Sequence, residues 1–184
     1  MNKKTIVVWF SCGAASAVAA KKTIERYGNT HNIRIVNNPI KEEDADNLRF
    51  LKDVERWLGY PIEFATHPDY PDNSCVVVWD EGFMSGRTTM GAPCTYKLKR
   101  VARQIWEKSN PHDHIVLGFT LDEKHRHDKF VMFERNNVLP VLIEAGITKQ
   151  DCYRIITEAG LMLPAVYLMG YPNANCIGCV KATS

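Results

Sequence analysis

The feature that most constrains this chain is its opening transition. Thr5-Ile-Val-Val-Trp-Phe10 is an unbroken apolar, β-branched run, and Ser11-Cys-Gly-Ala-Ala-Ser16 follows it with no charged or bulky residue. Such a run suits a strand buried on both faces, as in a parallel sheet covered by helices on each side. The small-residue loop leads into a helical segment over 14–27 that Gly28 stops. Ile33-Arg-Ile-Val36 reads as a second strand. Residues 47–58 read as an amphipathic helix, with Leu48, Leu51, Val54 and Leu58 at helical spacing and Gly59 behind them. Residues 61–65 give a third, weaker strand. The βαβαβ order predicts an α/β fold with a right-handed, doubly wound, mostly parallel sheet.

The middle of the chain is less regular. Cys75-Val-Val-Val-Trp79 fits either a strand or a short buried helix. Residues 96–108 form a helix with Leu98, Val101, Ala102, Ile105 and Trp106 on one face. Ile115-Val-Leu-Gly-Phe119 is another buried strand, and 122–135 is helical. Residues 138–143 read as an edge strand, because Pro140 cannot donate to a central ladder. Thr148 opens a helix that runs to about Gly160, with Asp151 as its capping partner. From Leu163 onward the chain reads as loop. With no repeat and no linker, 1–184 is one domain, in which 143–184 supplies a C-terminal helix and a short cysteine-bearing segment.

Charge narrows the partners. The 23 Lys and Arg against 21 Asp and Glu leave a net +2, so any basic surface is local. The longest apolar runs are too short to cross a bilayer. The run behind Met1-Asn2-Lys3-Lys4 meets Ser11-Cys12-Gly13 too early for a signal peptide. The expectation is a cytoplasmic protein with no membrane partner. Six cysteines in a reducing compartment are not a disulfide framework, and clustered ones point to metal or catalysis.

Two places carry chemistry. The loop Ser11, Cys12, Gly13, Ala14, Ala15, Ser16 lies where open parallel sheets bind ligands. Small residues there let backbone N–H groups approach a phosphate or sulfate at a helix N-terminus. It is neither a Walker A loop nor G-x-G-x-x-G, and a plain strand-to-helix turn is the competing reading. The second place is Cys176-Ile-Gly-Cys179, together with Cys94 at the start of a basic helix. Lys97, Lys99 and Arg100 beside Cys94 favour its thiolate, the form that zinc and iron–sulfur clusters require. A redox dithiol stays open for the C-x-x-C. Cys75 and Cys152 read as buried packing thiols. The pairs His112/His114 and His125/His127 lack further ligands and read as solvated. Glu123 and Arg126 form either an ordinary helical pair or a ligand contact.

Taken together, these segments resemble the phosphoadenosine phosphosulfate (PAPS) reductase-like family of the PP-loop, or adenine nucleotide alpha hydrolase-like, group, in its phage and bacterial form. Ser11-Cys-Gly-Ala-Ala-Ser16 is similar to that group's S-G-G-x-x-S, with Cys12 in place of the first Gly. Asp46-Asn-Leu-Arg-Phe-Leu51 with Trp57-Leu-Gly59, and Ala92-Pro-Cys-Thr95 with Leu98-Lys99, continue the likeness. Gly118-Phe-Thr with Glu123 and Arg126, and Asn175-Cys-Ile-Gly-Cys-Val-Lys181, complete it. The resemblance implies a Rossmann-like sheet with ATP or a related adenine nucleotide across its carboxyl edge. The loop would hold phosphates, the backbone near Val36 and Asn37 would face adenine, and Gly118 and Phe119 would flank the nucleotide. Mg²⁺ stays an open companion of that nucleotide.

The sequence departs from the reductases at three points. Only Val180-Lys-Ala-Thr-Ser184 follows Cys179, with no further cysteine to act as the tail nucleophile. Pro93 precedes Cys94 where cluster-bearing reductases have an adjacent cysteine, so three thiolates match rather than four. Asn37-Asn38-Pro39 stands where relatives often carry an acidic residue and Thr. The expectation is an enzyme of sulfur chemistry, either ATP-dependent sulfur transfer or sulfonucleotide reduction, with a [4Fe–4S] cluster or zinc on Cys94, Cys176 and Cys179. Cys94, Lys97, Glu123 and Arg126 are the expected catalytic groups. A sulfur donor or sulfonucleotide is the expected partner, and a nucleobase or nucleic-acid acceptor and a homodimer are left open. The alternative is a non-catalytic nucleotide-binding module with a structural metal in a larger complex.

Overall fold

The computed structural model describes residues 3–82 and 91–179. Its strands are β1 (Thr5–Phe10), β2 (Asn32–Asn37), β3 (Ile62–Phe64) and β4 (His114–Val116). The helices are α1 (Ala14–Tyr27), α2 (Ala45–Leu58), α3 (Cys75–Asp80), α4 (Ala102–Ser109), α5 (Lys124–Phe133), α6 (Val141–Glu144), α7 (Lys149–Glu158) and α8 (Ala165–Leu168). A π-helical stretch, Thr95–Val101, runs directly into α4. The strands form one parallel sheet in the order β3-β2-β1-β4. The chain winds outward from β1 through β2 to β3, then crosses to β4 on the other side of β1. That reversal opens a crevice beyond the carboxyl ends of β1 and β4.

Strand alternation divides the core in two. Ile6, Val8 and Phe10 pack with α1, α2 and α7, whereas Val7 and Trp9 face Trp106 and Phe130 on the opposite side. This is why the sequence of β1 reads as continuously apolar. A third apolar cluster, away from the sheet, gathers Ile40, Tyr70, Val78 and Leu98 around three cysteines.

Several expectations are corrected. In α2 the buried stripe is Asn47, Phe50, Leu51, Val54 and Leu58, and Leu48 is exposed. The helix starts earlier than its apolar pattern suggests because Asp44 caps it, accepting from Asp46 N at 2.8 Å. Gly59 ends it with φ +68°, a left-handed conformation. Cys75–Asp80 is a helix, nucleated by the Ser74 cap. β4 stops at Val116, because Gly118 turns the chain against the first loop. The edge strand over 138–143 reduces to a single parallel bridge between Val138 and Ile115. Pro140, with no N–H, ends that pairing, and Val141–Glu144 turns helical. The stretch after Leu163 contains α8. Thr148 and Asp151 form a reciprocal capping box at the start of α7.

Candidate functional site

The first loop is pre-shaped by its own hydrogen bonds. Ser11 N and Ser11 Oγ donate to Ser16 Oγ at 3.1 and 3.2 Å, and the Ser16 hydroxyl donates to Gly13 O at 2.9 Å. The Ser16 hydroxyl is therefore spent on the loop rather than offered to a ligand. Cys12 adopts φ +54°, which explains why the related motif carries glycine at this position. Its side chain is buried, burial pushes its thiol up to about 12, and it is no nucleophile at neutral pH. Gly118 closes the loop from the β4 side. A Cβ there would lie 2.8 Å from Ser16 N, so backbone meets backbone. From the C-terminal side the Tyr167 hydroxyl accepts from Ala14 N at 3.3 Å.

The crevice beyond β1 and β4 holds a cavity of about 370 Å³, lined by Ser11, Gly13, Ala15, Ser16, Gly118, Phe119, Glu123 and Arg126. The first turn of α1 forms one wall, where a helix start leaves backbone N–H groups without intrahelical partners. Lys149 and Tyr167 also line it, and neither carries a sequence signal, since each is an isolated residue on a distant segment. An adjoining cavity of about 360 Å³ shares Ser11, Lys99, Leu117 and Gly118, and adds Trp9, Phe10, Asn38, Tyr96, Arg100, Arg103 and Phe130. Val36 is fully buried in the sheet. The Asn37 amide is committed to Phe10 O at 2.8 Å, so it is Asn38 that lines this cavity. The Arg103 guanidinium lies over the Trp9 ring, and its Nε has no hydrogen-bond partner among the described residues.

The cysteines meet in a third cavity, also about 360 Å³. Cys94, Cys176 and Cys179 line it, and so does Cys75, whose sequence context predicts a packing thiol. Cys75 packs in one apolar cluster with Cys94 and Cys176. Its thiol is the main reason the Cys94 thiol is held down to about 6 and the Cys176 thiol is lowered, while Cys75 itself is raised. One residue organises this geometry. The Glu42 carboxylate accepts from Cys75 N at 2.7 Å and from the Ser74 hydroxyl, and its carbonyl accepts from Ile177 N at 2.8 Å. Burial opposes ionisation of Glu42, but those side-chain contacts outweigh it and its pKa falls. Among the described residues, no three thiol, imidazole or carboxylate groups already surround a single point as they would around a bound ion. The donor chemistry nevertheless fits a thiophilic metal group, since four thiols line one cavity wall.

The three cavities meet at Lys99, which lines all of them. Its Nζ lies 3.4 Å from Glu43 Oε1. Burial works against the charge on Lys99, but Glu43 and Cys176 together raise its pKa, so it stays a cation. Arg126 lines both the loop cavity and the cysteine cavity, paired with Glu123 and lying over the Phe119 ring. Lys97, expected to act beside Cys94, points elsewhere, to Glu81 Oε2 at 2.6 Å and to the Tyr70 hydroxyl. The two lysines diverge because residues two apart on a helix do not share a face. His112 and His127 are largely buried, not solvated. Residues 180 and 181 of the C-terminal motif, and the tail to 184, lie outside the described residues.

No protein-family model and none of the curated proteins matches the sequence. Solved structures do. The PAPS reductase from Candida auris, in a phosphate complex, matches with a TM-score of 0.63 at 9% identity, over 93% of this chain and 80% of that one. The U34-tRNA thiolase NcsA from Methanococcus maripaludis, with its [4Fe-4S] cluster, matches with a TM-score of 0.56 at 15% identity. That match covers 89% of this chain and 59% of the thiolase. The chain thus has the Rossmann-like fold of the PAPS reductase-like and PP-loop proteins. Among the described residues, no helix is long and apolar enough to cross a membrane.

Proposed function

We propose that this protein is an enzyme of sulfur chemistry that binds ATP or a related adenine nucleotide at the crevice beyond β1 and β4. The observation that carries the reading is the junction of the loop cavity and the cysteine cavity, which share Lys99, Arg126 and the 173–175 segment. A PP-loop fold places phosphates at the first turn of α1, and here the cavity at that turn adjoins one lined by thiols. The folds of a PAPS reductase and a tRNA thiolase, both proteins of sulfur chemistry by name, support the same class.

In this reading the adenosine moiety occupies the aromatic cavity of Trp9, Tyr96 and Phe130, and the phosphates lie against Ser11, Ala15 and Ser16. Lys99 and Arg126 neutralise phosphate or sulfate charge between the two chemistries and hold the reacting group toward the thiols. Gly118 sets the width of the crevice. Cys94 and Cys176 are the thiols most readily ionised, as metal binding requires. Cys94, Cys176 and Cys179 hold the metal group, whose chemistry when bound as an iron–sulfur cluster is that of an electron reservoir or a sulfur-binding centre. ATP-dependent sulfur transfer is the favoured reaction.

The test combines nucleotide titration with a pyrophosphate-release assay on anaerobically purified protein, screened against nucleobase, nucleoside and tRNA acceptors. Binding of ATP with acceptor-dependent pyrophosphate release is the expected result. Binding without turnover across all acceptors would favour a nucleotide-binding module in a larger complex. Absence of nucleotide binding would overturn both.

A further inference from the structure

We propose that Cys75 is the fourth thiolate of the cysteine site, so that Cys75, Cys94, Cys176 and Cys179 together enclose its metal group. The inference rests on the reading of that site as a metal site and deepens it. Cys75 is the first residue of α3 and is almost wholly buried, but it is not a filler of the sheet core. It belongs to the separate cluster around Val78 and Leu98 with Cys94 and Cys176 packed against it, and it lines the same cavity as those two and Cys179. Cys152, by contrast, is buried in the main core beside α1, in a cluster that contains none of Cys94, Cys176 and Cys179.

The backbone reinforces the assignment. Glu42 fixes Cys75 N through its carboxylate and the C-terminal segment through its carbonyl, so one residue sets the distance between Cys75 and the C-x-x-C. A packing thiol needs no such registration. With four thiolates the site is closed, as structural metal sites are, whereas a site with three keeps a position for substrate. A closed site cannot carry a sulfur species on its metal. The sulfur that reacts at the nucleotide must then arrive on a separate donor.

Full-length protein, purified anaerobically, is assayed for iron, sulfide and zinc. The ligand set is read by X-ray absorption, and iron lability by mild chelation. The wild type is expected to show four protein sulfurs on its metal and no selectively removable iron. Cys75→Ser should replace one sulfur by oxygen in the absorption spectrum, or make about one iron in four labile, while Cys152→Ala behaves as the wild type. Circular dichroism on Cys75→Ser and Cys75→Ala checks folding, and the wild-type measurements decide the question even if both variants unfold. A wild-type cluster that already has a labile iron, unchanged in Cys75→Ser, would overturn the role of Cys75 and leave the metal reading standing. Wild-type protein that binds ATP but neither iron nor zinc would overturn both.

Discussion

Lys99 Nζ lies 3.4 Å from Glu43 Oε1 at the point where the crevice beyond β1 and β4 and the cysteine cavity meet. Burial raises the Glu43 carboxyl, and Lys99 is the neighbour that draws it back toward ionisation. Glu43 is in turn bridged to Cys176 through the backbone. Lys99 is therefore held by a residue that is itself paired to the C-x-x-C segment. Lys99→Met should weaken ATP binding roughly tenfold or more, the loss of one charge-assisted contact worth about 1.5–3 kcal/mol. Lys97→Met removes an equal charge from a side chain paired to Glu81, and should change affinity less than about threefold. Isothermal titration of both variants checks the ranking, and a reversed order would place the phosphates on the wrong side of the π-helical stretch.

Gly118 is the second control on the crevice. Any Cβ there meets Ser16 N at 2.8 Å and Ala15 C at 3.0 Å, both backbone atoms of the first turn of α1. Backbone cannot yield by changing a rotamer, so Gly118→Ala should cost about 1–3 kcal/mol of stability. It should also widen the loop and abolish nucleotide binding in the protein that still folds. Urea denaturation measures the first effect and nucleotide titration the second. A variant of unchanged stability that binds normally would show that β4 and α1 pack less closely than described.

What the sequence disclosed follows from how local each signal is. The β1–loop–α1 unit, β2 and the capping box of α7 were legible because their residues are contiguous and their periodicity is strong. The 138–143 segment misled because Val138, Leu139 and Val141 are apolar in any conformation, and Pro140 decided against the strand only by ending it. Leu48 misled because it lies one residue off the true stripe of α2, where Asn47 takes the buried position. At the site, Cys94, Cys176 and Cys179 stood out by spacing and charge. Cys75 did not, because its partnership with them is created by Glu42 and the fold, and no periodicity records it. Lys97 and Lys99 both follow Cys94 closely, and their spacing of two puts them on different helix faces without recording which face meets the thiols.

Tyr167 tests whether the first loop is an anion site. Its hydroxyl accepts from Ala14 N at 3.3 Å, in a place where a phosphate oxygen would also accept. Burial pushes the phenol up to about 12, so it is neutral at any physiological pH. Tyr167→Phe removes the competing acceptor and one hydrogen bond. Stability should fall by about 1 kcal/mol, while affinity for ATP or inorganic pyrophosphate should rise about fivefold. Thermal unfolding and nucleotide titration on the same preparation separate the two effects. A loss of affinity instead would mean that the hydroxyl itself contacts the nucleotide.

The segment that bears Tyr167 and the C-x-x-C is fastened to α2 by a charged clasp. Arg49 donates to Asp46 and Asp53 and to the carbonyls of Met162 and Leu163, and Asp46 Oδ2 accepts from Ala165 N at 2.8 Å. The Arg49 bond is the largest cause of the lowered Asp46 pKa. A carboxyl depressed in the folded state contributes stability that is complete above its unfolded value, about 4. That contribution is lost as pH falls through the lower folded value. Asp46→Asn should therefore destabilise the protein by about 1–2 kcal/mol at pH 7. The difference from wild type should hold constant down to about pH 5 and shrink below about pH 4, as the wild-type carboxyl also loses its charge. Urea unfolding of both proteins across that range measures it. A gap that persists unchanged in acid would assign the loss to packing of the 162–165 segment rather than to the charge on Asp46.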